Sequence, residues 1–528
     1  MIRDLFGLDT ETKSTRTPSS NSPRLRPAFG PRRRNWDPVE GGRLFGNFGA
    51  SKSSADEEVK NRLEGERSRA RQLERENPWA VRYFDLWVQN VLGDAGIRLV
   101  PRVFDELPDG KIKPDRDANL RIRRGWAEWG KRGTPTVCGR HSWETALQLL
   151  AVSYKRDGES LLRFHRGGDF GSFGFQVELI EGDRLSLGLN RINPDTGLEI
   201  RMGIERNKWD RPVAYWIHDR HPGAAKSQYQ VDRTFRIPAA EIVHLYDAKR
   251  IDQSRGLPAL EAGMGRLQQL GGYEEAELVA ARAGASKMGF ITSGDGAEYE
   301  GEADADYNAS EISESFTPGT IDQLGAGQEF QAWDPTHPNS AFGDFVKNSL
   351  RAFFAVGGAS YNAGANDLEG VNFSSLRDGK LTERDKWRLE QELIIDIVCR
   401  PVFENWLPTA IISGKLEGLP FQKLEKFLEH RWQGRRWEWV DPAKEAKGHQ
   451  IQLENRTTTV SRILESQGRD LRDHLEELRL EIDLAEEFEL EDLLPYKAPT
   501  DSPPPTPTPG PPAPDEDEPE DLEEDDEN

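Results

Sequence analysis

The chain has 528 residues, 36% of them hydrophobic and 31% charged, with a mean hydropathy of −0.73 and a net charge of −22. That length exceeds one compact core, so two or three packed regions are expected, and no run approaches the ~18 apolar residues of a membrane span. The opening Met1-Ile2-Arg3-Asp4-Leu5-Phe6-Gly7 lacks the apolar run of a secretory signal, and two cysteines, Cys138 and Cys399, cannot staple a chain this size, so a reducing compartment is expected.

The charge is unevenly spread. Residues 501–528 hold twelve acids and no Lys or Arg, which leaves the rest of the chain at −10. At the other end Arg24, Arg26, Arg32, Arg33 and Arg34 lie in a Pro-, Gly- and Ser-rich stretch without periodicity, so residues 1–54 read as a disordered basic arm. A charged helix is expected from Ala55 to Glu76. Asn77-Pro78 then restarts a densely apolar helix that ends before Gly93, with Asn as cap and Pro at the first helical position.

From about 158 to 246 the period switches to two. Leu161–Phe164, Phe175–Ile180, Leu198–Ile204 and Val213–Ile217 read as strands, with turns at 193–197 and 207–212, which makes an antiparallel meander beside a helical layer. After Gly256-Leu257-Pro258 a helix runs to about Ser286 with Leu260, Met264 and Leu267 on one face. Its small residues, Ala276 to Ala285, suit either a close intrachain contact or packing between subunits. Residues 292–338 are loop-rich, Ala341 to Val356 is a helix, and Gly357 to Gly379 is a Gly/Asn/Ser loop. A long helix from Leu381 must bend or stop near Pro401. Two more helices are expected between His449 and Asp492, and from Pro495 a Pro-rich, acidic disordered tail.

Enzyme signatures are sparse. There is no Gly-x-x-x-x-Gly-Lys-Ser/Thr phosphate loop and no Gly-x-Ser-x-Gly elbow. Asp304-Ala305-Asp306-Tyr307-Asn308 imitates a calcium loop but has Ala309 where Gly is required and Ser315 where Glu belongs. His218 and His221 have no Cys or third His nearby and read as surface residues rather than zinc ligands. Trp126 with Trp129, and Trp437 with Trp439, read as packing residues, base stacking being the alternative. No catalytic residue, metal site or cofactor is expected.

Nine segments in order resemble the lambda family of phage portal proteins. They are Arg75-Glu76-Asn77-Pro78-Trp79-Ala80, Gly158-Glu159-Ser160-Leu161, Glu181-Gly182-Asp183-Arg184-Leu185 and Arg211-Pro212-Val213-Ala214-Tyr215-Trp216. Ile237-Pro238-Ala239-Ala240-Glu241-Ile242-Val243-His244, Arg255-Gly256-Leu257-Pro258 and Ala276-Glu277-Leu278-Val279-Ala280-Ala281-Arg282 follow. Gly370-Val371-Asn372-Phe373-Ser374-Ser375-Leu376-Arg377 and Trp437-Glu438-Trp439-Val440-Asp441-Pro442 complete the series. Residues 357–366 are smaller and more polar than the family implies, and the acidic tail lies outside the resemblance.

The resemblance implies an α+β subunit of a dodecameric ring at one capsid vertex, with a β-rich wing, a two-helix stem, a clip and a helical crown. On that plan 55–255 is wing, 256–291 and 341–356 are stem, and 292–338 is clip. Residues 357–380 are the channel loop, 381–449 a long helix returning to the wing, 450–494 the crown and 495–528 the tail. Implied partners are other copies of the chain, double-stranded viral DNA, the terminase large subunit, major capsid and scaffold proteins, and neck or head-tail adaptor proteins, with no membrane. The implied location is the virion, reached from the host cytoplasm. Lys347 and Arg351, four apart, share a helix face and form either a cationic belt around the channel or an ordinary solvated face. With Asn372, Ser374, Ser375, Arg377 and Lys380 they are the candidates for contact with passing DNA. Rival readings are a DNA-processing enzyme, which would need an acidic metal cluster or phosphate loop, and a neck adaptor, usually a shorter chain.

Overall fold

The computed structural model describes residues 52–94, 96–106, 110, 112–224, 233–285, 289–293, 328–332, 341–437 and 442–488. The basic arm, the calcium-like segment and the acidic tail lie outside them. The body begins at Ala55. Helix α1 (Ala55–Glu76) opens on three acids and has Arg75 in its last turn, so both ends complement the helix dipole. Asn77 caps α2 (Pro78–Val91), its Oδ1 accepting from the Trp79 and Ala80 N–H groups at 3.0 and 3.1 Å. Strand β1 (Arg98–Pro101) and the hairpin β2 (Phe104–Glu106) and β3 (Ile112–Pro114) lead to α3 (Arg116–Trp129) and α4 (Trp143–Asp157). Asp115 and Ser142 cap these two helices.

Helix α4 ends at Gly158, whose φ of 90° turns the chain directly into β4 (Glu159–Arg166), paired with β5 (Phe175–Glu181). The meander follows: β6 (Arg191–Ile192), β7 (Glu199–Arg201), β8 (Ile204–Arg206), β9 (Pro212–His218) and β10 (Thr234–Pro238). Its spatial order is β10-β9-β8-β7-β6, every neighbour antiparallel. Strand β11 (Ile242–Tyr246) returns to the far edge of β4, giving a second sheet ordered β11-β4-β5.

One expected strand is two. The run Leu198–Ile204 reverses at Met202 and Gly203, with φ of 47° and 78°, a two-residue turn with both centres left-handed. Nothing in the sequence flags a turn there, because Met replaces the usual Asn or Asp. Met202 is fully buried with Val59 and Leu63 of α1, and that packing offsets the backbone cost.

Helix α5 (Glu261–Ala285) leads to the antiparallel pair β12 (Gly289–Ser293) and β13 (Gln328–Ala332), and α6 (Phe342–Gly357) follows. The 292–338 segment, expected to be loop-rich, thus contains β13 and the end of β12, paired with each other. Helices α5 and α6 pack together, Tyr273 lying 5.6 Å from the Phe342 ring and 4.7 Å from Phe345.

The expected loop 357–380 is shorter. Gly358, at φ 73°, ends α6; Ser360 caps the single turn α7 (Tyr361–Ala365); and α8 (Phe373–Ile394) already includes Ser374 to Lys380. Gly379 sits inside α8, where a glycine costs ~1 kcal/mol against Ala but breaks nothing. Near Pro401 the rod continues: a π-turn at Ile395–Cys399 joins α8 to α9 (Arg400–Ile412). Pro401 has no N–H to close the normal ladder, and the wider turn absorbs the missing bond.

The short α10 (Leu424–Phe427) precedes β14 (His430–Gln433), which pairs with β1 so that Arg98 faces Gln433. Helices α11 (Pro442–Glu454), α12 (Val460–Ser466) and α13 (Leu471–Glu487) end the described chain, α11 starting before the expected boundary. The main core gathers aromatics from both helices and strands, α2, α3, α4, α6, α9 and β14 among them. Trp126 lies within 5.9 Å of Trp129, Trp143, Phe403, Trp406 and Trp432, so the Trp126–Trp129 pair is packing. A smaller core of Leu161, Ile180, Ile204, Tyr215 and Ile217 fills the space between the sheets. Among the described residues no helix is long and apolar enough to cross a membrane.

Candidate functional site

Four of the sequence landmarks meet at one buried carboxylate. Glu159, the first residue of β4, has no exposed surface. The Arg255 guanidinium clamps it, Nε lying 2.9 and 2.7 Å from its two oxygens. Arg67 of α1 adds a third ion-pair contact at 2.8 Å, and His244 Nε2 of β11 lies 3.0 Å from Oε2. Since a carboxylate only accepts, Nε2 carries the His244 proton. The remaining Arg255 donors reach the Met202 and Gly182 carbonyls at 3.0 and 3.1 Å. A second tier surrounds this: Arg67 reaches Asp183 at 3.2 Å, and Arg71 bridges Asp157 at 2.8 Å and Asp183 at 2.5 Å.

Burial alone would raise the Glu159 carboxyl; Arg255, His244 and Arg67 outweigh it and hold it well below the usual range. Burial pushes His244 down, with Glu159 opposing, so the ring stays neutral at neutral pH. The backbone here is as tight as the charges. A Cβ on Gly256 would sit 1.9 Å from the Gly158 carbonyl oxygen, and one on Gly182 only 2.8 Å from Glu159 Cγ. Gly158-Glu159, Gly182-Asp183, His244 and Arg255-Gly256 therefore form one structure that locks α1, α4 and both sheets together. Each polar atom of the carboxylate is occupied and out of solvent, which suits a scaffold and not a reacting group.

The channel candidates fall into two groups. On α6, Lys347 Nζ lies 3.1 Å from Asp367 Oδ2, which also accepts from the Tyr361 hydroxyl at 2.9 Å. Lys347 and Arg351 both stand over the Tyr361 ring, at 5.9 and 5.5 Å. The two cations share a face as expected, and α7 and the turn after it contact both, leaving Arg351 exposed and Lys347 half-buried. The sequence reading missed Tyr361 and Asp367, whose place could be found only by knowing that residues 358–367 fold back on α6. On α8, Arg377 lies 3.7 Å from Glu445 and Lys380 is exposed, as is Asn372 just before the helix. Ser374 and Ser375 lie in the first turn of α8, on its backbone.

Among the described residues, Glu181, Asp183 and His221 bring three potential metal ligands together. His221 Nδ1 accepts the Gly223 N–H at 3.0 Å, so Nε2 is protonated and points at Glu181 and Asp183, 3.5 and 3.7 Å away. With Asp183 already held by Arg67 and Arg71, the group is an ion-pair cluster. His218 contacts Thr234 Oγ1 at 3.3 Å. Trp437 donates to Asn90 at 2.9 Å and lies 5.8 Å from both Arg384 and Arg388; Trp439 is outside the described residues. Cys138 and Cys399 are both free thiols, one exposed and one buried.

The model of the lambda family of phage portal proteins matches residues 41–391, which contain the whole Glu159 network. The chain belongs to that family. It is 34% identical over 411 residues to the "Probable portal protein" of Halomonas phage phiHAP-1, covering 76% of this chain and 77% of the relative. Among solved structures it is similar to a chain in the neck of a native GTA particle computed with C12 symmetry, at 12% identity and a TM-score of 0.39, across 76% of this chain and 93% of that one. A chain of the virion of a native gene transfer agent particle gives the same identity and TM-score over 81% and 98%. The α+β architecture, antiparallel sheets beside helical layers, is the one the family resemblance implied.

Proposed function

We propose that this chain closes into a dodecameric ring at one capsid vertex, through which viral double-stranded DNA is packaged and ejected. The observation that carries the reading is the family match across 41–391. In this reading the ring docks the terminase large subunit, sits among major capsid and scaffold proteins, and receives neck proteins. It assembles in the host cytoplasm and works without catalysis or cofactor. The α5–α6 pair supports a two-helix stem, and the exposure of Leu278, Val279 and Phe345 along it leaves apolar surface for a neighbouring copy.

The electrostatics favour a passive lumen. DNA carries one charge per ~1.7 Å of axis, and an uncovered basic wall would hold it. Asp367 and Tyr361 reduce the grip of Lys347 and Arg351, while Asn372, Ser374, Ser375, Arg377 and Lys380 supply small polar or salt-sensitive contacts. Negative-stain microscopy of the purified protein is expected to give rings with a central hole. Light scattering that found only monomers and dimers across salt and concentration would refute the ring. Rings carrying bulky residues at 372, 374 and 375 are expected to assemble yet package or retain DNA poorly, and normal retention would remove these positions from the lumen.

A further inference from the structure

A cleft of about 570 Å³ lies between β1, α3 and the first turns of α13. Five arginines line it: Arg102, Arg116, Arg123, Arg124 and Arg472. The acids that share the cleft are already used. Asp117 holds Arg121 at 2.7 Å, Asp470 caps α13, and Glu476 accepts from Arg472 at 3.1 Å. Arg116 and Arg124 are exposed and have no carboxylate partner among the described residues. Apart from Asn119, the rest of the lining is apolar, with Leu99, Val100 and Leu120. A polyanion alone would leave that apolar surface unmatched, and a duplex, whose major groove is itself ~12 Å wide, meets a cleft of this size only at its rim. The occupant it fits is an acidic peptide with an apolar residue set among its charges.

We propose that the cleft is the docking site of the chain's own acidic C-terminal segment, residues 515–527. That segment contains eleven acids and one large apolar residue, Leu522, in the run Glu520-Asp521-Leu522-Glu523-Glu524. The spacing matches the cleft. Arg116, Leu120 and Arg124 follow one another on α3 at steps of four residues, ~6 Å each along the axis. Glu520, Leu522 and Glu524 of an extended chain share one side at steps of ~6.6 Å. Leu522 then covers Leu120 while the two glutamates meet Arg116 and Arg124.

The tether is also suitable. Glu476 of the cleft precedes Phe488, where the described chain ends, by twelve residues, ~18 Å of helix. The 32 residues from Phe488 to Glu520 include eleven prolines, so they are taken as a semi-rigid spacer with a reach of up to ~100 Å at ~3.1 Å per residue, more than the return to the cleft needs. Tethering makes the contact intramolecular, with an effective concentration set by the length and stiffness of this spacer. The occupied cleft presents no free cations to DNA or to other acidic chains.

The test is photocrosslinking of the full-length chain with p-benzoylphenylalanine in place of Asn528. Crosslinks are expected to map to peptides spanning residues 98–124 or 469–476 at ~0.05 M salt, and to fall about fivefold at ~1 M, where the Debye length shrinks to ~3 Å. Arg116→Glu with Arg124→Glu is expected to remove them, and so is Glu520→Gln/Leu522→Ser/Glu524→Gln, which leaves the folded body untouched. Crosslinks mapping elsewhere on the chain, crosslinks indifferent to both sets of substitutions, or crosslinks that join only different copies in a mixed ¹⁴N/¹⁵N preparation would each overturn intrachain docking.

Discussion

Glu159→Gln tests whether the buried network holds the body together. The substitution keeps the side chain's shape and removes its charge, leaving two buried guanidinium groups with less to balance them. Arg67 retains Asp183 at 3.2 Å, but Arg255 keeps only carbonyl partners. Removing one partner from a buried ion pair costs ~3–5 kcal/mol, so a loss of about 4 kcal/mol is expected. With ~2.1 cal/mol/K of unfolding entropy per residue, the roughly 430 residues of the body give ~0.9 kcal/mol/K and a drop of about 4–5 °C in Tm. Differential scanning calorimetry at one fixed protein concentration reads this directly. The double variant Glu159→Leu/Arg255→Met removes the clamp from both sides and should lose less than the two single variants combined, by at least ~1 kcal/mol. A shift below about 1 °C for Glu159→Gln, or strict additivity in the cycle, would refute the assignment of the network as the body's central tie.

Gly256→Ala is expected to yield insoluble or unfolded protein, because its Cβ would fall 1.9 Å from a carbonyl oxygen that has no rotamer to escape into; a soluble chain with unchanged melting would contradict the geometry. Acid should destabilise the body in two stages. His244 and Glu159 both titrate lower in the folded chain than when unfolded, so each contributes stability that is complete above its unfolded pKa and lost as pH falls. The His244 share starts to go below about pH 6.5 and the Glu159 share below about 4.3. In His244→Gln, urea midpoints followed across pH should lack the first stage, and an unchanged profile would exclude His244 as its source.

Local chemistry was readable wherever a backbone signal has one meaning. Asn77-Pro78 starts a helix because cap and missing donor agree, and apolar runs located β4, β5 and β9, β4 being buried on both faces between the two cores. Reading failed where tertiary packing overrides a local rule. Met202 turns the chain because α1 buries its side chain, Gly379 continues a helix despite its composition, and Pro401 is tolerated because a π-turn precedes it. The site divides the same way. The landmarks showed which segments matter, but not that Glu159 and Arg255, 96 residues apart, are partners. The Lys347–Arg351 face was legible from a spacing of four; its contact with Tyr361 and Asp367 depends on the fold of a segment whose glycines read only as loop.

At the meeting of Gly158 with Gly256 the nearest neighbour is a backbone carbonyl, with Tyr246 Cβ beside it, and this limits how the protein can change. An overpacked core can be relieved by trimming a neighbour, as when a larger residue at one position is matched by a smaller one beside it. Here the neighbour is a peptide carbonyl, and no substitution makes it smaller. A screen for second-site revertants of Gly256→Ala should return the original glycine, or lengthened connections near residue 250 that move the whole segment, and no compensating replacement within the contact. Closing this junction also brings together points 98 residues apart, directly before α5. The junction is in this sense a fixed pivot, open to repair only by reversal.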